Sequence, residues 1–184
     1  MRIIANHVST SALTLCAVLL FSGGSLAEAP TGAVTPGKLV AKGEPDAQGP
    51  QVTLFPTSAK AVRIGSTIGF QIGATANGYA HLYALSASGK VQLWMENVRI
   101  RRDHAMVYPS RDSEIRATPP AGDEKVVLVI TRAPFDGFAS GAVRSPLALQ
   151  YSHESFRQAL AAKIKKLPSG SWATTELVVR VEDQ

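Results

Sequence analysis

From Gln51 onward, short apolar runs alternate with turn residues, the rhythm of a β protein. Gln51–Phe55 predicts a strand that Pro56 stops, and 61–64 a second piece before Gly65-Ser66. Over Thr67–Ile72, Ile68, Phe70 and Ile72 alternate with Thr67, Gly69 and Gln71, as in a half-buried strand. Asn77-Gly78 is a turn. Tyr79–Leu85 and Lys90–Met95, joined across Ser88-Gly89, predict a hairpin, with Ala80, Leu82 and Ala84 on one face. Glu96–Pro109 is polar and basic and carries no clear period. Ser113–Thr118 predicts a strand ended by Pro119-Pro120. Lys125–Arg132 (KVVLVITR) is β-branched and almost continuously apolar, which predicts a strand covered on both faces. A loop containing Gly, Pro and Phe spans 134–146.

One helix is predicted, over Ser152–Leu167. Ser152 can cap it, and Phe156, Leu160, Ile164 and Leu167 form one stripe at helical spacing. Pro168 and Gly170 end it, and Trp172–Glu182 alternates again as a closing strand. About eight short strands with a late amphipathic helix predict a mainly β fold, an immunoglobulin-like β-sandwich with the helix on an edge or end.

Upstream of this domain the pattern is different. Arg2 and the terminal amine precede the apolar run Ala12–Phe21, Gly23-Gly24 break it, and Ser25-Leu26-Ala27 sets small residues where a signal peptidase reads. This predicts a signal peptide over 1–27, cut after Ala27, and an exported, periplasmic chain. The run is shorter than the about 20 apolar residues of a stable bilayer span. A lipidated Cys16 is the weaker alternative, since bulky Leu15 precedes it. Residues 28–50, rich in Pro, Gly and Ala, predict a disordered leader ahead of the domain at 51–184.

Composition then narrows the chemistry. Cys16 is the only cysteine in the chain, so a mature form cut after Ala27 has no thiol, no disulfide and no thiolate metal site. That form has 18 basic and 14 acidic residues, a modest excess that favours anionic partners without arguing for nucleic acid.

The segment Gly78-Tyr79-Ala80-His81-Leu82-Tyr83-Ala84-Leu85, then Ser88-Gly89-Lys90-Val91, then Leu93-Trp94-Met95-Glu96-Asn97 resembles a widespread bacterial family of unknown function. That family occurs behind signal peptides or joined to kinase-like and caspase-like domains. Its pattern is a Gly-Tyr strand, a Gly-Lys turn and a strand ending in Phe-Pro-Asn. Ile115–Pro119 and Lys125–Thr131 match its later parts, and Met95-Glu96-Asn97 stands where the family has Phe-Pro-Asn. The likeness covers about residues 60–135. It implies a sandwich module for assembly or recognition, and no catalytic residues.

Candidate sites are few. His81, His104 and His153 are not at metal-ligand spacing, and Arg157 follows His153-Glu154 where a zinc-protease helix needs a second histidine. Met95, His104 and Met106 could form a soft-metal site but are better read as core and surface. No Gly-x-Ser-x-Gly elbow is present. The reading is therefore non-enzymatic, with no catalytic, metal or cofactor site. Arg99, Arg101 and Arg102 are the leading binding candidates: with Val98 and Ile100 inward, Arg99 and Arg101 share an outer face that could dock an acidic envelope protein. The alternative is an edge strand guarded by its charges. Phe135 and Phe138 are the candidates for an exposed apolar contact. A glycan or small-molecule site using Tyr79, Tyr83, Trp94 and Trp172 is the second reading, and a hydrolase the third.

Overall fold

A computed structural model describes residues 49–59 and 61–183. The expected signal peptide and all but the last two residues of the expected leader lie outside the described residues.

Among the described residues, eleven strands and one helix follow in the order β1 (Val52–Pro56), β2 (Ala61–Arg63), β3 (Thr67–Ile68), β4 (Phe70–Ala74), β5 (Gly78–Leu85), β6 (Val91–Ile100), β7 (Met106–Tyr108), β8 (Ile115–Arg116), β9 (Gly122–Thr131), β10 (Leu147–Leu149), α1 (His153–Ile164) and β11 (Trp172–Glu182). A six-stranded sheet runs β10-β6-β5-β9-β11-β2, a three-stranded sheet β1-β4-β7, and β3 pairs β8 in a short ribbon. Every pairing is antiparallel except β2 on β11.

The protein is mainly β, a sandwich with one late helix. Ala80, Leu82, Val126, Leu128 and Ile130 of the large sheet pack inward with Phe70 and Ile72 of the small one. The neighbouring residues Tyr83, Leu85, Leu93, Val127 and Val129 face the other way and are buried under Phe156, Leu160 and Ile164 of α1. The helix thus covers a face of the sheet rather than an edge or end. The reason is visible in β5 and β9: their residues are apolar on both faces, so both must be covered. Ser152 caps α1, accepting a hydrogen bond from the Ser155 backbone N–H.

Two other expectations change. The predicted strand Thr67–Ile72 is two strands in different sheets, divided at Gly69, whose carbonyl accepts from the Thr57 N–H at 2.8 Å. A Cβ at 69 would lie 2.5 Å from the Thr57 hydroxyl, so the crossing strands meet where there is no side chain. The polar stretch after Met95 is not a loop at first: β6 runs on to Ile100. Period-2 reading fails there because β6 carries two bulges against β5. Ala80 faces Val98 and Leu82 faces Met95, so His81 opposes both Glu96 and Asn97; Tyr83 then faces Leu93, leaving Trp94 unmatched. The second bulge turns Trp94 and Met95 to the same side, into the sandwich core.

Candidate binding surface

The first bulge builds a buried polar knot. Asn97 takes a left-handed conformation (φ 55°), which asparagine tolerates better than most residues. Its side chain then pairs with the loop as a strand would: Nδ2 donates to the Phe135 carbonyl (2.9 Å) and Oδ1 accepts from the Phe135 N–H (2.7 Å). The fully buried Glu96 carboxylate accepts from the Tyr83 hydroxyl (3.0 Å) and from the backbone N–H groups of Phe138 and Ala139 (both 2.9 Å). Burial, and next the charge of Glu96, holds the Tyr83 hydroxyl well above its usual pKa, so it stays a donor. A Cβ at Gly137 would overlap this carboxylate, which explains the glycine.

His81 completes the knot. The Asn97 N–H donates to Nδ1 (3.2 Å), while Nε2 lies 3.0 Å from the Thr131 hydroxyl, which itself donates to the Ala133 carbonyl (2.6 Å). The single Thr131 proton is thereby committed, so Nε2 carries the imidazole proton and donates. Burial lowers the His81 pKa to about 3, keeping it neutral.

This knot corrects the expectation for the loop aromatics. Phe135 is not exposed: it is 4% accessible and meets the His81 ring edge-on at 5.1 Å. Phe138 is half-buried against Tyr83, Phe156 and Tyr151, with the Lys163 ammonium 5.5 Å from its ring centre. Neither offers a free apolar contact; both hold the loop down.

The aromatic platform is likewise divided. Trp94 lies in the sandwich core against Phe70 and Tyr108, and Tyr83 and half-buried Trp172 on the helix side. Met95 is core, while His104 is exposed in the turn after β6. His153 opens α1. Met106 packs against the core cluster that holds Met95, while His81, His104 and His153 lie on separate elements, and among the described residues no three His, Cys, Asp or Glu residues gather as a metal ion would need.

What the structure does bring together are the arginines. Val98 and Ile100 are buried and Arg99 and Arg101 exposed, as strand alternation requires. The end of β6 meets the start of β5 and the end of β9 around an open depression of about 600 Å³, lined by Asn77, Tyr79, Arg99, Arg101 and Arg132. Tyr79 is the register partner of Arg99, and the guanidinium lies 5.9 Å from its ring centre. Arg102 sits beside it in the following turn, paired with Asp103 (2.9 Å), its N–H donating to Asn77 Oδ1 (2.7 Å). Arg132, which supplies the third charge, carried no signal at the sequence level: it ends a core strand 30 residues away, and only the β5–β9 pairing places it here. β6 is not an edge strand where β10 covers it at Val91–Leu93; Arg99 lies beyond that cover.

Fold and surface together define a β-sandwich module with a cationic depression at one sheet end. Residues 61–134 match the family described as Domain of unknown function (DUF4384), so such a domain lies within this chain. No curated protein and no solved structure matches it. Among the described residues no helix is long and apolar enough to cross a membrane.

Proposed function

We propose that the protein is a non-enzymatic periplasmic interaction module whose Arg99–Arg101 face, with Arg102 beside it, docks a carboxylate-rich segment of an envelope protein. The observation that supports this is that exposed Arg99 and Arg101, on one face of the end of β6, line one open hollow together with Tyr79. Arginines present planar donors that pair with carboxylates bidentately, and an open, screened site suits a reversible contact. Export is read from the apolar run and Ser25-Leu26-Ala27. The test uses the protein from Glu28 onward, immobilised and exposed to envelope extract. Captured proteins are identified and their binding titrated. Arg99→Glu, Arg101→Glu and Arg102→Glu together should abolish capture, and raising the salt should weaken it for the unaltered protein. Reversal of Lys165 and Lys166 serves as the charge control. Capture indifferent to the arginine reversals would sink the reading.

A further inference from the structure

At the opposite end of the large sheet lies a second, more enclosed hollow of about 270 Å³. It opens where the sandwich interior meets the β5–β6 turn and the segment after β8. Ser86, Ser88, Gln92 and Thr118 line it with hydroxyl and amide groups, and Glu124 of β9 lines it as well. Glu124 alternates with the core residues Val126 and Leu128, so its side chain projects into the sandwich end. It is only 7% accessible, and among the described residues no group donates to its carboxylate, whose oxygens meet the solvent of the hollow. This is unlike the other buried carboxylate, Glu96, which has three donors.

The neighbouring cations do not supply the missing partner. Arg116 and Glu114 also line the hollow, but Arg116 is held by Glu114 (2.6 Å) and by the Gly65 carbonyl (3.0 Å), and nearby Arg180 by Asp123 (2.8 Å). Lys90 lines the hollow without an ion pair to Glu124. Partial withdrawal from bulk water raises the Glu124 pKa, so a cation brought beside it would be favoured. The charge complement that would relieve it is a cation small enough to enter, and the surrounding hydroxyls and amide can hydrogen-bond the rest of such a molecule.

We infer that this hollow is a binding site for a small molecule bearing a protonated primary amine, with Glu124 as the ammonium partner. The site lies apart from the arginine depression and does not depend on that reading. Its size admits a ligand of amino-acid or amino-alcohol dimensions rather than a polymer.

The test is an amide NMR titration of the protein from Glu28 onward with methylammonium, ethanolamine, putrescine and glycine. Ethylene glycol is the uncharged match for ethanolamine. At least one amine should give saturable shifts confined to Ser86–Gln92, Thr118 and Glu124, and ethylene glycol should give none. Glu124→Gln keeps the shape and removes the charge, so it should weaken binding at least tenfold. Thr118→Arg, at an exposed position on the rim, should block the site with the guanidinium of the chain itself. The arginine-reversed protein should bind the amine as the unaltered one does. Absence of saturation with all four amines, equal shifts with ethylene glycol, a footprint elsewhere, or undiminished binding in Glu124→Gln or Thr118→Arg would each overturn the proposal.

Discussion

His81 and Glu96 are adjacent across the first bulge, and each sets a different response to solution conditions. The folded His81 titrates near pH 3 and the unfolded one near 6.5. Between those values the unfolded chain binds a proton that the folded chain refuses, so acidification through that window destabilises the fold. The slope from this group approaches 1.4 kcal/mol per pH unit, roughly the value of one pKa unit. Urea midpoints measured from pH 7 to pH 4 should fall for the unaltered protein and flatten for His81→Gln. An equal slope in both would remove His81 as the cause. Glu96→Ala should cost about 3 kcal/mol or more, because it strands the Tyr83 hydroxyl and two backbone N–H groups without acceptors. Tyr83→Phe removes one donor only and should cost about 1 kcal/mol in the same urea titration.

At the scale of elements, α1 is held by its apolar stripe rather than by its charges. Phe156→Ala should lower stability by about 3–5 kcal/mol, since the ring is wholly buried between Tyr83 and Phe138. Ser152→Ala should cost about 1 kcal/mol through the lost cap. Thermal unfolding followed by circular dichroism checks both. The elements that sequence reading located best are α1, with its helical stripe and cap, β9, with its continuous apolar run, and the turn of the β5–β6 hairpin, with its Ser88-Gly89 signal. Glycine and bulges defeated it elsewhere. Gly69 sits inside an apparently regular alternation yet divides two sheets, and at Trp94–Asn97 two extra residues shift the faces so that neighbours point the same way. Phe135 looked exposed because its loop is short of apolar neighbours in sequence; its cover comes from His81 and Asn97, some 40–50 residues earlier. Arg99 and Arg101 were legible from alternation alone. Arg132 and Glu124 were not: Arg132 becomes notable only through the strands paired across the sheet, and Glu124 only through its burial beside a hollow at the sheet's other end.

The described residues form three layers, a small sheet, a large sheet and a helix with its loop, and the matched family segment is only part of them. Residues 61–134 contain β5, β6 and β9 but neither α1 nor β11. A 61–134 fragment should therefore bind hydrophobic dye and associate, because Tyr83, Leu85, Val127 and Val129 lose their cover and β9 loses a neighbour. A monodisperse, folded fragment would contradict this assignment of layers. The parallel pairing of β2 with β11 joins Ala61 to Arg180. The strand that enters the sheet among the first in the chain must therefore wait for the last. Until β11 is made β2 has no seat, so the large sheet closes at the pace of a long-range encounter. During that interval the chain carries an unfinished edge, open to pairing with another chain.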